Sequence, residues 1–302
     1  MPELPEVETI VRDLREKIVG KKIKKVQVVL PKIVKNSKKY FVDFLTGNKF
    51  LAIERRGKLI IFKTARFNLA DNKKSDKKIM LVHLKMTGQL IWQKKSKNQK
   101  IKTIAGGHDQ KNTIENLPNK YSHLVFNFSD GSQLFYNDLR QFGYVKLVNE
   151  KELVKILDKF GYEPLKNTFT LNNFQNLIQG RKKNVKAFLL DQSLVAGLGN
   201  IYVDEVLFAS RVLPQRTIDT LNEKEIKSIF KNIKKILQKA VDNRGTTFNN
   251  YRDAEGRKGG FMKLLKVYGR ENKKCLRKGC VGIIKKNKTA GRGTHFCSIC
   301  QK

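Results

Sequence analysis

Residues 1–18, Met-Pro-Glu-Leu-Pro-Glu-Val-Glu-Thr-Ile-Val-Arg-Asp-Leu-Arg-Glu-Lys-Ile, are the stretch from which the fold of this 302-residue chain can be worked out. Pro5 suits the first turn of a helix, because its missing N–H would have no intrahelical partner there. Apolar residues then recur at helical spacing, which predicts a helix that docks one face on a core: Val7, Ile10, Val11, Leu14 and Ile18.

The same stretch places Pro2 beside Glu3, an arrangement with a chemical interpretation. Removal of Met1, which is usual before proline, would leave Pro2 as a secondary amine, and α-amino groups have reference pKa values near ~8. Such an amine attacks an aldehyde carbon to give a positively charged iminium, and the Glu3 carboxylate can move protons for it. A proline start and an acidic first turn are also typical of an ordinary N-terminal helix. These residues alone leave both interpretations open.

Charge and composition limit the classes of partner and compartment. The chain has 63 Lys and Arg against 27 Asp and Glu, a formal net charge of +36. A surplus of this size predicts a polyanionic partner and favours nucleic acid over an anionic membrane surface. No secretory leader and no apolar run of membrane-spanning length are visible. We therefore expect a soluble, monomeric protein of the cytoplasm, associated with the nucleoid and large enough for two domains.

The first half of the chain predicts an all-β domain behind the leading helix. Alternating apolar and polar residues indicate half-buried antiparallel strands at 23–30, 50–53, 59–62, 79–84 and 90–92. The clearest hairpin joins 124–128 to 133–136, with Asp130-Gly131 as the positive-φ pair of its turn. The segments 68–78 and 93–119, rich in Lys, Asn and Gln, are interpreted as exposed loops or insertions of low order.

From Lys151 onward the apolar pattern becomes helical. We expect helices around 153–157, 174–178, 185–190, 201–209 and 226–241. The predicted fold class is multidomain α+β, with an N-terminal β-sandwich and its leading helix (1–148), a helical domain (149–270) and a four-cysteine tail (271–302). A groove between the β and helical domains would suit a long ligand.

The tail holds all the cysteines of the chain, in the spacing C-x4-C-x16-C-x2-C: Cys275, Cys280, Cys297 and Cys300. Two short-spaced pairs separated by a hairpin-length insert match tetrahedral ligation of one structural Zn²⁺, which replaces a missing apolar core. Chance spacing or two free thiol pairs are the alternatives. His295 lies close by and is expected to be a hairpin residue. From spacing alone, Arg292 in the Gly-Arg-Gly turn is one more solvated charge.

Three further motifs are ambiguous by themselves. In residues 196–200 (Ala-Gly-Leu-Gly-Asn), bare glycine N–H groups would suit a phosphate oxygen, but a plain helix–helix turn fits as well. Lys58 follows a basic pair and Gly57 at the start of a strand. In residues 138–143 (Asp-Leu-Arg-Gln-Phe-Gly), Arg140 and Phe142 fall on one side and would fill the gap left by a flipped base. A surface arginine beside a core phenylalanine is the alternative there.

The order of these motifs resembles that of the bacterial formamidopyrimidine-DNA glycosylases. The matching segments are MPELPEVET (1–9), the lysine of RRGK (55–58), HLKMTG (83–88), DLRQFG (138–143), AGLGNIYVDE (196–205), VYGR (267–270) and the four-cysteine tail. The resemblance spans essentially the whole chain, and the first nonapeptide is highly specific. Leu4 separates the chain from the related endonuclease VIII branch, which usually has glycine there.

The resemblance implies a bifunctional base-excision enzyme that acts on oxidised purines, 8-oxoguanine and formamidopyrimidines, in double-stranded DNA. Pro2 would attack the sugar C1′ and Glu3 would transfer protons. Lys58 would act as a general acid that also contacts DNA. Arg292 of the zinc hairpin would grip the phosphates at the lesion and assist δ-elimination. One structural Zn²⁺ and no organic cofactor are implied.

The resemblance also implies a set of DNA contacts. The residues that enter the duplex and fill the void would be Met86, Arg140 and Phe142. The arginine would face the orphaned cytosine. Asn200 would be the phosphate contact of a helix–two-turn–helix element, and basic contacts would fall at Arg181 and Lys186. The loop at 257–261 would cover the flipped base.

Three positions depart from the family pattern. Gln141 stands where a second basic residue is usual, which removes one phosphate contact. Tyr121 takes the place of a DNA-contacting histidine of many relatives and is kept as a candidate contact. The first cysteine pair has four intervening residues where many relatives have two, which remains within zinc spacing. The alternative from another class is a non-catalytic zinc protein that binds damaged DNA, which would have no use for a secondary amine beside a carboxylate.

Overall fold

The computed structural model describes residues 1–65, 78–95, 101–107, 116–246 and 260–302. The helices in these ranges are α1 (Leu4–Ile18), α2 (Lys38–Leu45), α3 (Glu150–Leu157), α4 (Leu171–Ile178), α5 (Val185–Leu190), α6 (Asn200–Ser210) and α7 (Glu223–Asp242). The strands are β1 (Ile23–Val28), β2 (Lys49–Arg56), β3 (Leu59–Ala65), β4 (Ile79–His83), β5 (Gly88–Lys95), β6 (Ile101–Gly107), β7 (Ser122–Phe128), β8 (Gln133–Asp138), β9 (Tyr144–Val148), β10 (Ile284–Thr289) and β11 (Arg292–Cys297).

The chain forms two compact units. The first comprises residues 1–158 and 244–260, and the second comprises residues 159–243 and 261–302. The helices α4–α7 and the cysteine-bearing hairpin β10–β11 thus belong to one unit. The division into three consecutive domains at 148 and 270 stays a prediction.

The first unit is a β-sandwich, as the alternating strands predict. One antiparallel sheet has the order β2-β3-β4-β9, and the other has the order β1-β7-β8-β5-β6. Their apolar faces meet in one core, where Phe50 of the first sheet lies 5.8 Å from Phe126 of the second, ring centre to ring centre. The face of α1 that carries Val7 and Val11 packs into the same core. The predicted leading helix and β-sandwich are confirmed.

Three local predictions need correction. The segment 93–119 is not simply a loop, because β5 continues to Lys95 and pairs with β6 along the sheet edge. In the β7–β8 turn only Gly131 has a positive φ, of 79°. Asp130 instead uses its carboxylate to accept the Ser132 N–H at 3.0 Å. The helix α2 was not predicted at all. The segment 66–77, which covers most of the other predicted insertion, lies outside the described residues.

The second unit contains four of the five predicted helices, α4–α7, and the hairpin, whereas the helix predicted around 153–157 is α3 of the first unit. The longest, α7, is capped by Asn222, whose side chain accepts the Glu225 N–H at 3.0 Å. Between α5 and α6 the chain makes two tight turns. No helix in the described part of the chain is long and apolar enough to cross a membrane.

Candidate functional site

The first turn of α1 places two carboxylates next to the chain start. Pro2 is buried, and Glu3 and Glu6 are 3% and 5% exposed. The Glu6 carboxylate accepts the Glu3 N–H at 2.9 Å, which is one half of a capping box. Charged groups in a water-poor environment interact more strongly than in solvent. The arrangement therefore holds Pro2 and Glu3 in a fixed, desolvated geometry suited to proton transfer.

Residues 244–246 anchor this turn from another part of the same unit. Thr246 donates both its N–H, at 2.7 Å, and its hydroxyl, at 2.9 Å, to Oε1 of Glu6. Gly245 has φ +79°, and a Cβ there would lie 2.6 Å from the Glu6 carboxylate. Arg244 forms an ion pair with Asp13 of α1 at 2.7 Å. Sequence reasoning missed Glu6 and Thr246, because their pairing joins positions 240 residues apart.

Lys58 lies in the two-residue turn between β2 and β3, where Gly57 has φ +56°. The lysine is 5% exposed, so its charge is poorly screened. Burial lowers the pKa of His83 to about 4, and the positive charges of Lys85 and Lys58 act in the same direction. His83 Nδ1 also accepts the Lys85 N–H at 3.0 Å. The imidazole beside Lys58 is therefore neutral at physiological pH, and it was not among the predicted site residues.

Two loop tips of the sandwich carry the predicted void-filling residues. Met86 lies half-buried in the turn 85–87 between β4 and β5. Arg140 and Phe142 are both exposed in the loop 139–142 between β8 and β9, and Phe142 keeps 54% of its surface in solvent. The Arg140 guanidinium stacks over the Phe142 ring at 4.7 Å from its centre. The alternative of a core phenylalanine is therefore wrong.

Tyr121 directly precedes β7 and is half-buried, and its carbonyl accepts the Asp138 N–H at 3.1 Å. Nε2 of the buried His123 lies 2.8 Å from the Asp138 carbonyl and donates to it. The Lys120 ammonium lies 5.3 Å from the centre of the Tyr121 ring. This segment thus supports the backbone at which the Arg140 loop begins.

In the second unit, the glycine turn before α6 is braced from within. The Gly197 N–H donates to the Gln192 side chain at 2.9 Å, so it is not the bare donor that the sequence suggested. Gln192 also donates to the carbonyls of Leu190 and Leu198, each at 2.9 Å. Asn200 begins α6 and donates to the Gly293 carbonyl at 2.9 Å. The turn therefore positions Asn200 against the cysteine-bearing hairpin.

Lys186 does not fit its predicted role as a DNA contact. Its side chain and that of Asp204 are both fully buried, with the ammonium 2.6 Å from the carboxylate. The same ammonium donates to the Thr294 hydroxyl at 2.8 Å. Asp204 also accepts the His295 N–H at 2.8 Å. A side chain without solvent-exposed surface cannot contact a phosphate, so Lys186 instead ties α5 and α6 to β11.

Both arginines predicted to contact DNA in this unit, Arg181 and Arg292, are exposed. Arg292 is the first residue of β11 and follows a two-residue turn in which Ala290 and Gly291 both have positive φ. Arg181 follows Gly180 after α4, and its Nε donates to the Leu177 carbonyl at 2.7 Å. Both guanidinium groups lie on the surface, where they can meet phosphates.

The four cysteine sulfurs form one cluster, all within 4.8 Å of one another. Sγ of Cys275 lies 3.8 Å from that of Cys300, and Sγ of Cys280 lies 3.7 Å from that of Cys297. Tetrahedral ligation at a metal–sulfur distance of ~2.3 Å requires sulfurs about 3.8 Å apart. Gly282 permits the close approach, because a Cβ there would lie 2.6 Å from the Cys297 sulfur. The cluster can hold one metal ion.

Comparisons with known proteins agree with this architecture. The profile of the formamidopyrimidine-DNA glycosylase N-terminal domain matches residues 1–145, and that of the formamidopyrimidine-DNA glycosylase H2TH domain matches residues 160–251. A formamidopyrimidine-DNA glycosylase of Carboxydothermus hydrogenoformans is 38% identical over 303 residues and covers 100% of both chains.

Two solved structures show the same similarity. A Lactococcus lactis FPG mutant in complex with a Fapy-dG-containing DNA has a TM-score of 0.83 and 34% identity, with 100% of both chains covered. A MutM in complex with DNA that contains carbocyclic 8-oxo-G has a TM-score of 0.82 and 34% identity, again with 100% of both chains covered.

Proposed function

Because this chain belongs to the formamidopyrimidine-DNA glycosylase family, we propose that it removes 8-oxoguanine and formamidopyrimidines from double-stranded DNA and then cuts the strand. The observation that carries this proposal is the buried first turn, where Pro2 adjoins Glu3 and a second carboxylate, Glu6. The comparison structures support the substrate class, since their DNA contains Fapy-dG or an 8-oxoguanine analogue. The enzyme works as a monomer in the cytoplasm on nucleoid DNA.

The proposed reaction begins at the amine of Pro2. Its lone pair forms a bond to C1′ of the damaged nucleotide while the glycosidic bond breaks. The base leaves with the electron pair of the glycosidic bond and takes up a proton. Glu3 supplies and removes protons at the sugar, and Lys58 acts as the general acid. After the nitrogen has lost its proton, its lone pair expels O4′, which takes a proton from Glu3 as the C1′–O4′ bond breaks, and the product is an iminium between the proline nitrogen and C1′ of the opened sugar.

The iminium then drives strand cleavage. Its positive charge makes the C2′–H acidic, and loss of this proton expels the 3′-phosphate (β-elimination). Loss of the C4′ proton then expels the 5′-phosphate (δ-elimination), for which Arg292 neutralises the departing phosphate. Water releases the sugar fragment and regenerates the amine of Pro2.

DNA recognition is divided between groups that hold the phosphates and groups that enter the duplex. The side chains that hold the phosphates are those of Arg181, Asn200 and Arg292. The Tyr121 hydroxyl is a further phosphate contact. Met86, Arg140 and Phe142 enter the stack and occupy the space that the flipped nucleotide leaves. Of the predicted covering loop at 257–261, residues 257–259 lie outside the described part of the chain.

A duplex with one 8-oxoguanine opposite cytosine provides the direct test. We expect loss of the lesion, a one-nucleotide gap with phosphates at both ends, and a covalent protein–DNA adduct in the presence of borohydride. Binding to this duplex without excision or adduct would contradict the proposal and favour the non-catalytic DNA-binding alternative.

Arg140→Ala should flatten the preference for 8-oxoguanine opposite cytosine over adenine. A bidentate arginine–base contact is worth about 1–3 kcal/mol, or roughly 5- to 150-fold in discrimination. Excision rates opposite each base measure the ratio. Arg181→Ala is the matched control, because loss of a phosphate contact weakens binding to every duplex. It should lower the slope of log affinity against log salt concentration without changing the ratio of excision opposite cytosine to excision opposite adenine. If Arg140→Ala behaves like this control, Arg140 is only an electrostatic anchor.

We also propose that the cysteine cluster binds one structural Zn²⁺. Thiolates are ligands that Zn²⁺ favours. The backbone N–H of Gly282 donates to the Cys280 sulfur at 3.4 Å, and the side-chain Nε–H of Arg277 donates to the Cys300 sulfur at 3.3 Å. The ion takes no part in catalysis. It supplies the stabilising interaction that a short tail with few apolar residues lacks, and so fixes the hairpin that carries Arg292.

Cys297→Ser should release the metal and unfold the tail, because a four-thiolate site supplies much of the folding free energy of a module this small. Metal analysis should give about one Zn²⁺ per wild-type chain and less in the variant. DNA cleavage should fall, while the circular dichroism of the sandwich persists. Ser298→Ala, next to the ligand but outside the cluster, should keep its zinc. Wild-type protein that folds fully without metal would refute the assignment.

A further inference from the structure

Asp138 is a buried carboxylate that the proposed reaction does not use. It is 1% exposed, and it lies where the Arg140 loop leaves the sandwich. We propose that Asp138 and Thr87 form a positioning pair that fixes the Met86 turn (85–87) relative to the Arg140 loop (139–142), and thereby sets the discrimination between opposing bases. This inference rests on the proposed function of Met86, Arg140 and Phe142.

The Thr87 hydroxyl connects the two loops directly. It donates its hydrogen to Oδ1 of Asp138 and accepts the Arg140 N–H at 2.9 Å. A hydroxyl has one hydrogen and two lone pairs, so it can fill both roles at once. The Arg140 N–H also lies 3.2 Å from the same carboxylate oxygen. One buried side chain of the Met86 turn therefore holds the backbone of Arg140.

The second oxygen of Asp138 holds the far end of the Arg140 loop. Oδ2 accepts the Gly143 N–H at 2.8 Å, and the Tyr136 hydroxyl lies 3.5 Å away. Gly143 is required for this approach, because a Cβ there would lie 1.8 Å from the Tyr136 hydroxyl oxygen. Both ends of a loop whose tip is exposed are thus fixed by one carboxylate.

These side-chain bonds continue where the backbone ladder stops. The pair Gly88–Asp138 is the last between β5 and β8 on this side. Beyond this pair, no ladder pair of β5 and β8 joins the Met86 turn to the Arg140 loop. The hydrogen bonds of the Thr87 and Asp138 side chains connect them instead. Residues that enter a duplex side by side need a fixed separation, since misplacement of recognition groups loses the contact that specifies the base. Gln141, at φ +57°, can then present Arg140 and Phe142 from a rigid base.

The test compares two substitutions at Thr87. Thr87→Val keeps the shape but removes the hydroxyl, and Thr87→Ser keeps the hydroxyl. We expect Thr87→Val to lower the ratio of excision opposite cytosine to excision opposite adenine by about 3- to 10-fold, the scale of one hydrogen bond. Thr87→Ser should restore the ratio. Cleavage of a preformed abasic site should change little in either variant.

Thr64→Val is the matched control. Thr64 is a buried threonine of β3 in the same unit, and its hydroxyl donates to the Lys78 carbonyl at 2.6 Å. Its loss should lower the melting temperature to a similar extent without moving the ratio. Hydrogen exchange of the Arg140 amide in the DNA-free protein should accelerate in Thr87→Val only. This rate reports the hydrogen bond from the Arg140 N–H to Thr87 independently of catalysis.

The possible failures are distinguishable. An unchanged ratio in Thr87→Val, or an equal loss of excision opposite both bases and of abasic-site cleavage, overturns the positioning role. Wild-type protein without excision, or without a preference for cytosine, instead defeats the proposed function, and the inference with it. Faster exchange at the Arg140 amide without a change in the ratio of excision opposite the two bases would show that the hydrogen bonds of Thr87 hold the loop but do not set specificity. That result also overturns the proposal.

Discussion

Protein with residues retained ahead of Pro2 should form no borohydride-stable adduct with DNA, and it should neither excise 8-oxoguanine nor cut abasic sites. The free amine of Pro2 forms the iminium that borohydride reduces to a stable bond, and a preceding residue would convert this nitrogen into an amide, which is not nucleophilic. Pro2 and Glu3 are buried in the first turn of the sandwich unit, so added residues would also displace the proton donor. We expect a loss of roughly 10³-fold or more, because removal of a covalent nucleophile acts on that scale.

The control is an extension of equal length placed after Lys302, which should trap DNA as the wild-type protein does. Affinity for undamaged duplex should stay near the wild-type value in both proteins, since the proposed phosphate contacts are unchanged. Pro2→Gly tests the residue itself, because it replaces the secondary amine by a primary one. If the N-terminal extension traps DNA as efficiently as wild-type protein, another amine must be the nucleophile, and equally efficient trapping by Pro2→Gly would show that the reaction does not need a secondary amine.

The parts of the fold that sequence could predict are those set by local pattern. The apolar spacing in α1 and the alternation in the sandwich strands follow from which face of each element is buried. The helix α2 had a usable signal, namely the capping Ser37 followed by Phe41, Phe44 and Leu45 at helical spacing. The strand β6 had only a weak signal, because two of its seven residues are glycines and its pairing with β5 depends on the neighbouring strand.

The candidate site divides in the same way. Pro2, Arg140 and the cysteines lie in contiguous motifs whose chemistry is visible in the chain. Asp138 is part of one such motif, yet its role depends on Thr87, 51 residues earlier. The burial of Lys186 likewise depends on Asp204 and on Thr294, 108 residues later. Because a lysine is normally exposed, the sequence alone favours a surface role for Lys186, such as a DNA contact. Only its buried tertiary partners reveal otherwise.

Lys186→Met should be one of the most destabilising substitutions in the helical unit, at about 3–5 kcal/mol of unfolding free energy. The substitution leaves the Asp204 carboxylate as an uncompensated charge in a site with no exposed surface. Urea unfolding of the full chain measures the effect. Lys227→Met is the control, since Lys227 pairs with Glu223 at 52% and 66% exposure and should cost less than ~1 kcal/mol.

The double variant Lys186→Met with Asp204→Leu separates the ion pair from simple packing. Replacing both partners by apolar side chains removes the buried charges together, which is often neutral or stabilising. We therefore expect the double variant to recover most of the stability lost in Lys186→Met. A double variant less stable than the single one would show that other bonds of Asp204, such as that from the His295 N–H, matter more than the pair.

The dependence of DNA binding on salt decides between burial and direct contact at Lys186. A lysine that neutralises a phosphate contributes about one unit to the slope of log affinity against log salt concentration. Because Lys186 donates to Asp204 and Thr294 within the protein, we expect the slope to be unchanged in the stabilised double variant. Arg292→Ala, which removes an exposed charge two residues before Thr294, should lower it. A slope reduced by one unit in the double variant would restore Lys186 as a DNA contact and would require the buried pair to open on binding.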